Sequence, residues 1–183
     1  MEFAIIRVGY GDDYTDQDDR MAIRNMNECE RLGIPYGVYL FSYAVSDEQA
    51  YSEADHLKRM LAGRNPQMGV YIDIEASSTY EKYGIDPYSA EGRASITRWA
   101  KIVMTEVANA GFTPGIYANY NYFRNILYMD QFEEMKWLAF YGNNDAESDY
   151  SCPSGPWVCW QYCSTGSVAG INGNVDMNAW LIF

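Results

Sequence analysis

Strand-like and helix-like segments alternate along this chain, and that alternation restricts its fold more than any other feature. Four segments of strand character are each followed by a helical segment: FAIIRVGY from residue 3, YGVYLFSYA from 36, GVYIDIE from 69 and PGIYANY from 114. Three further strands follow with little helix between them: KWLAFY from 136, WVCWQYC from 157 and GNVDMNAWL from 173. This order predicts a largely parallel sheet that is covered by helices.

Apolar residues run almost unbroken through FAIIRV and GVYI, which favours a sheet buried on both faces. A flat doubly wound sheet would be expected to carry a glycine-rich phosphate turn after an early strand, and GYGDD does not match GxGxxG. With seven strands, we therefore predict an α/β barrel-like fold. The length of 183 residues suits one domain over residues 1–183.

The helical segments carry apolar residues at helical spacing, which predicts their core-facing sides. The three predicted stripes are Ala22, Met26 and Cys29; Ala50, Ala54, Leu57 and Leu61; and Ile96, Ala100, Val103, Val107 and Ala110. Ser46 with Gln49 three residues later is a capping-box pattern, and Gly33 and Gly111 stand where helices should end. SSTYEKYGIDPYS is predicted to be a loop.

The net charge of −12 argues against a nucleic acid or an anionic membrane as partner, because neither would be attracted. No apolar run approaches the ~18 residues needed to span a bilayer, and no signal-peptide pattern is visible. The 17 tyrosines and 5 tryptophans suit a groove that binds a polar ligand such as a sugar, although tyrosines also build cores.

The cysteines predict no metal site. Cys29 falls in a helix as a small buried residue. On an extended strand, Cys159 and Cys163 would lie ~13 Å apart, too far for a disulfide, whereas Cys152 is able to pair with either. Their spacing fits no zinc pattern and His56 is the one histidine, so we expect neither a metal nor a cofactor.

Two carboxylates, Asp73 and Glu75, interrupt the apolar segment GVYIDIE. Residues i and i+2 of a strand point the same way, with Cα atoms ~6.6 Å apart. The carboxyl end of a barrel strand is where catalytic side chains collect, and a dry site disfavours ionising both acids. The pair therefore predicts a general acid and a charged companion, as in glycoside cleavage. The alternatives are two solvated acids at a strand end or half of a divalent-cation site.

Asp176 and Asn178 form a second i, i+2 pair on the last predicted strand. If that strand lies next to the first, Asp176 points into the same end of the barrel as Asp73 and Glu75. We call this end, at the carboxyl ends of the parallel strands, the mouth. The alternative interpretation of Asp176 is a residue that stabilises a turn.

The order of these motifs resembles the lysozymes of glycoside hydrolase family 25. The matching pieces are FAIIRVGYG, GVYLFSYA, VYIDIE, GIYANY, KWLAFY and WQY followed by GSVAGINGNVDMN, which together span nearly the whole chain. The resemblance implies a modified TIM-like barrel of five strand–helix units and three further strands. It also implies N-acetylmuramidase activity, which cleaves the β-1,4 bond between N-acetylmuramic acid and N-acetylglucosamine in peptidoglycan, and action at the cell wall after secretion or endolysin-type release.

Carried onto this sequence, the resemblance implies Glu75 as proton donor, Asp73 as the acid that orients and stabilises the reacting centre, and Asp176 as a further active-site acid. Tyr43, Tyr117 and Trp160 match aromatic positions of the family motifs and are proposed to contact the peptidoglycan glycan strand. Trp160 alternates in direction with Cys159 and Gln161, which places it on the other strand face.

Two departures from the family pattern are visible. The family normally opens with a strand that contains an Asp in a G-x-D-x-S-type segment, and this sequence begins at Met1–Glu2 without it. A gap between two strand edges is therefore expected. Phe140 also replaces a residue that is usually polar.

Three hypotheses follow from the sequence: a muramidase, a non-catalytic glycan-binding remnant of such an enzyme, and a metal-dependent hydrolase that uses Asp73, Glu75 and Asp176 as oxygen ligands.

Overall fold

The computed structural model describes residues 1–141 and 151–181. Its centre is one seven-stranded sheet in which the strands follow their order along the chain. The strands are β1 (Ala4–Tyr10), β2 (Tyr36–Phe41), β3 (Val70–Asp73), β4 (Pro114–Asn119), β5 (Met135–Ala139), β6 (Cys159–Gly166) and β7 (Val175–Trp180). All seven predicted strands are confirmed, although the second and third end earlier than the sequence suggested.

Pairing is parallel from β1 to β6, and β7 returns antiparallel to β6. Within the described ranges, no hydrogen-bonded ladder joins β1 to β7, which are the two edges. The rings of Phe3, just before β1, and Trp180, at the end of β7, nevertheless lie 6.0 Å apart. The first and last strands of a linear sheet meet only if the sheet curls, so the predicted barrel-like α/β fold is confirmed as an open, curled half-barrel.

Five α-helices connect the strands: α1 (Ala22–Leu32), α2 (Asp47–Met60), α3 (Ser77–Lys82), α4 (Ala90–Asn109) and α5 (Tyr120–Asn125). The Ser46 hydroxyl accepts a hydrogen bond from the Gln49 N–H, as the capping pattern predicted. Gly33 ends α1 with φ 67°. The segment predicted as a loop contains α3, because burying Tyr80 against the core stabilises one helical turn there.

Helices cover the outer face of the sheet, where the main core lies. Alternate strand residues pack there against the helical stripes; the strand residues include Val8, Val38, Leu40, Ile72, Ile116 and Leu138, and the helix residues include Met26, Ala54, Leu57, Ile96 and Val103. Ala110 is the one stripe member that is exposed. It caps α4, and the chain turns away at Gly111 with φ 90°.

The inner, concave face carries a second cluster built mainly from aromatic residues. Trp137 is at its centre, with ring centroids 4.4 Å from Tyr117, 5.4 Å from Tyr71 and 5.8 Å from Tyr39. Cys159 is buried beside them, and Trp180 packs at the margin. This cluster fills the floor of the half-barrel beneath the carboxyl ends of the strands.

All four cysteines are free thiols, and Cys29 is buried as predicted. The Cys152 pairing that the sequence permits is not formed. Among residues 1–141 and 151–181, no helix combines the length and the apolar character that crossing a membrane requires.

Candidate active site

The candidate site begins where β3 ends. Asp73 is the last residue of β3, and the Ile74 N–H still bonds to the Tyr117 carbonyl oxygen at 2.9 Å. The backbone therefore stays attached to the sheet for one residue beyond the strand and places Glu75 at the start of the loop that leads to α3. The predicted strand over residues 69–75 is two residues too long at this end.

Asp73 is a buried acid, with 3% of its surface exposed. Its Oδ1 atom is buried and accepts no hydrogen bond within the described part of the chain. Burial raises the pKa of Asp73 well above its ordinary value, and the nearby charge of Glu75 raises it further. Such a carboxyl resists ionisation and keeps one buried acceptor atom without a hydrogen-bond partner in the described residues.

Glu75 and Asp176 are both exposed, so the dry site that the sequence predicts for Asp73 and Glu75 is found around Asp73 alone. The protein around Glu75 still removes enough water to raise its pKa, and the charge of Asp176 adds to this effect. The pKa of Asp176 is also raised by partial burial. The loop after β3 and the strand β7 thus bring their acids within electrostatic range of each other.

Tyr39 is a side chain of the inner face that lies near the three acids. It projects from β2 onto the inner face, where its ring contacts Trp137. Burial raises the pKa of its phenol, and the charges of all three acids raise it further. The half-buried Tyr39 therefore lies within electrostatic range of carboxylates from two separate segments.

Tyr117, Tyr141 and Gln161 form a polar bridge across the mouth. The Tyr117 hydroxyl donates to the Gln161 Oε1 atom at 2.7 Å, and the Tyr141 hydroxyl donates to the same atom. Burial raises the pKa of both phenols, and the charges of Asp73 and Glu75 contribute. Tyr117 is among the residues that the sequence predicts for the site, whereas Tyr39, Tyr141 and Gln161 are not. The sequence signal for these residues is that they stand at alternate positions of the strand segments and therefore share one face of the sheet.

Tyr43 lies on the loop after β2, and its ring is 42% exposed at the rim. Trp160 lies elsewhere: it packs with the outer core, and its Nε1–H donates to the Phe140 carbonyl at 2.9 Å. The structure therefore does not bring Trp160 together with the carboxylates, because its neighbours Cys159 and Gln161 take the inward positions of β6. Phe140 also packs outside, with its ring 5.0 Å from Tyr120.

Asn178, the partner of Asp176 in the sequence pattern, accepts a hydrogen bond from the Trp137 Nε1–H at 2.9 Å. It thereby fastens β7 to the aromatic floor. In the part of the chain that the structure describes, no three His, Cys, Asp or Glu side chains group closely enough to hold a metal ion. The divalent-cation interpretation of Asp73 and Glu75 therefore gains no support.

Two acids at the carboxyl end of the parallel strand β3, with a third at the start of the antiparallel β7, are an arrangement typical of barrel-type glycoside hydrolases. The sequence comparison gives the particular family. The model of the glycosyl hydrolases family 25 matches residues 1–171, and the chain belongs to that family. The resemblance seen in the motif order is thereby confirmed. No curated protein matches the sequence.

Solved structures of similar fold include three cell-wall proteins. The autolysin LytC from Streptococcus pneumoniae, in complex with a synthetic peptidoglycan ligand, is 26% identical over 99% of this chain and 41% of that protein, with a TM-score of 0.77. The CTP1L endolysin is 21% identical over 97% and 57%, with a TM-score of 0.74. The lysozyme from Streptomyces coelicolor is 23% identical over 98% and 81%, with a TM-score of 0.70. The chain thus spans about half the length of the first two.

Proposed function

We propose that this protein hydrolyses peptidoglycan at the cell wall, cleaving the β-1,4 bond between N-acetylmuramic acid and N-acetylglucosamine. The observation that carries the proposal is the position of Asp73 and Glu75 at the carboxyl end of β3, beside the aromatic floor, with Asp176 near enough for its charge to act on Glu75. Family membership supports the reaction class, and the peptidoglycan ligand of LytC supports the substrate class.

Glu75 is the proton donor in this proposal. A general acid must hold its proton near neutral pH and must reach the leaving oxygen. The raised pKa of Glu75 favours the protonated form, and its position on an exposed loop start gives it access to a polymer lying across the mouth. When Glu75 protonates the leaving oxygen, it becomes a carboxylate.

Asp73 is proposed to orient and stabilise the reacting sugar. Its buried Oδ1 atom accepts no hydrogen bond within the described residues and is an acceptor for a substrate N–H. Asp176 raises the pKa of Glu75 from the facing side and so helps to keep its proton in place.

Two tyrosines are proposed to contact the glycan. Tyr43 presents an exposed ring at the rim, on which a sugar ring is able to stack. The Tyr117 hydroxyl faces the polar bridge at Gln161, within electrostatic range of the acids. Trp160 is not part of this proposed site because it lies on the outer face.

The test of the proposal is Glu75→Gln, which keeps the shape of the side chain and removes the transferable proton. We expect release of reducing ends from purified peptidoglycan to fall by about 10²–10⁴-fold, the usual contribution of a general acid. Thermal unfolding should stay close to that of the wild type because Glu75 is exposed. The matched control is Glu81→Gln, which removes an exposed acid from α3 and should keep activity within about twofold.

An unchanged rate in Glu75→Gln would refute the role of Glu75. Binding of cell-wall fragments by the wild type without any turnover would instead favour the glycan-binding alternative, most directly if an added upstream segment restored turnover.

A further inference from the structure

The loop after β2 is held by an acid that the proposed reaction does not use. Glu53 projects from α2 and is 1% exposed. The Ser42 hydroxyl donates to its Oε2 atom at 2.7 Å, and the Tyr43 N–H donates to its Oε1 atom at 2.7 Å. One buried carboxyl thus fastens two consecutive residues of the loop of residues 42–44.

Packing alone does not account for a carboxyl at this place. Glu53 lies among the apolar stripe residues of α2, between Ala50 and Leu57, where an aliphatic side chain would be cheaper to bury. Within residues 1–141 and 151–181, no basic side chain forms an ion pair with it. Burial raises its pKa to about 8, with Asp12 contributing a smaller effect. What Glu53 provides is a pair of directional hydrogen bonds.

Those hydrogen bonds determine where Tyr43 stands. Its backbone is held by the hydrogen bond to Glu53. Its ring centroid lies 5.0 Å from that of Phe41, in a tilted arrangement, and 5.9 Å from that of Tyr10, in an edge-on arrangement. Tyr10 and Tyr43 remain 41% and 42% exposed, so the pair forms an open aromatic rim at the carboxyl ends of β1 and β2.

The same loop is connected to the acid site. Phe41 pairs with Asp73 across β2 and β3, and the Ser42 N–H donates to the Asp73 carbonyl oxygen at 3.0 Å. A sugar ring stacked on Tyr43 would therefore be held at a fixed place relative to Asp73.

We infer that Glu53 is a positioning residue for glycan binding: it fixes residues 42–44 so that the exposed ring of Tyr43 receives a sugar ring at the rim of the mouth. This inference rests on the proposed function, since it takes a glycan as the ligand. Glu53 acts only through the loop and touches no substrate.

The decisive experiment is a double-mutant cycle on a soluble tetrasaccharide of alternating N-acetylglucosamine and N-acetylmuramic acid. Tyr43→Ala should raise KM about three- to tenfold because a stacking contact is lost, with kcat within about twofold. Glu53→Leu should raise KM by a similar factor. The double variant should be no worse than Tyr43→Ala alone, because Glu53 acts through that ring. Additive effects, or a fall in kcat at constant KM, would overturn the inference.

Rescue and control variants separate positioning from general destabilisation. Glu53→Gln should keep KM near the wild-type value. The amide oxygen of the glutamine is able to accept from the Tyr43 N–H, and its amide N–H is able to donate to the Ser42 hydroxyl. Thr97→Val removes a buried hydroxyl that accepts from the Tyr128 N–H on the far side of the core. It should lower the unfolding temperature and leave KM unchanged, and a KM rise in Thr97→Val equal to that in Glu53→Leu would also overturn the inference.

Two further arms keep the result decisive. If Glu53→Leu does not fold, Ser42→Ala removes one of the two loop contacts and should raise KM about twofold; no rise would count against Glu53.

If the wild type shows no turnover, the proposed function fails separately. The same cycle is then read as Kd for the tetrasaccharide by calorimetry, where additivity again overturns the role of Glu53.

Discussion

The two faces of the sheet are built by different means. On the outer face, Leu40, Ile72 and Leu138 meet aliphatic helix stripes and need no hydrogen-bond partners. On the inner face, Trp137 contacts three tyrosine rings and donates a hydrogen bond to Asn178. The outer face follows from hydrophobic periodicity alone, whereas the inner face depends on cross-strand pairs whose members are far apart in the sequence.

This difference shows which face of the sheet mainly supplies stability and which face also holds the candidate site. Aliphatic packing is tolerant of shape as long as volume is kept. An aromatic floor with hydrogen-bonded edges fixes directions as well as volume, which a site with three coupled acids requires. Variants on opposite faces of one strand should therefore differ in function more than in stability.

The largest expected effect comes from adjacent residues of β5. Trp137→Ala should destabilise the protein by about 3–5 kcal/mol, and Leu138→Ala by about 2–5 kcal/mol, because both side chains are buried. Only Trp137→Ala should also weaken binding of peptidoglycan fragments, since it removes the floor under Tyr117 and releases Asn178. Chemical denaturation and a fragment titration measure the two effects. Equal losses of affinity at residues 137 and 138 would contradict the contrast between faces.

A second effect concerns the buried acid of the outer layer. The folded-state pKa of Glu53, about 8, exceeds its unfolded value of 4.5, so folding takes up a proton between these two pH values. Stability should therefore fall as the pH rises from about 4.5 to about 8 and then level off. Glu53→Gln should flatten this decline. Denaturation midpoints across the range test the expectation, and an identical slope in both proteins would exclude Glu53 as its source.

The smallest expected effect is at the polar bridge. Tyr117→Phe should cost about 1 kcal/mol, because one hydrogen bond is lost while Gln161 still accepts from Tyr141. The matched variant is Tyr71→Phe, which removes a hydroxyl that donates to the Met68 carbonyl at 2.9 Å. Similar unfolding free energies are expected for the two, with weaker fragment binding for Tyr117→Phe alone. Equal binding would place Tyr117 outside the site.

The sequence predicted the strand order well because alternation and apolar runs are local signals. It also singles out Asp73 and Glu75 as candidates, since two acids at period two in a buried strand are conspicuous. Gln161 was missed because its meaning depends on a tyrosine 44 residues earlier. Trp160 matches an aromatic position of the family motif, but its parity along β6 points it outward. Glu53 is a charged residue that interrupts the apolar stripe of α2, and this interruption in the sequence indicates a buried polar side chain.

The strands that carry the acids are paired with different numbers of neighbouring strands. β3 is bonded on both sides, whereas β7 is bonded to β6 alone and touches the opposite edge through the rings of Phe3 and Trp180. Asp176 therefore lies on the edge strand of the sheet, while Glu75 extends from a strand that is paired on both sides. The position of Asp176 thus depends on the ladder to β6 and on the hydrogen bond from Trp137 to Asn178, whereas the position of Glu75 depends on two ladders of the parallel sheet.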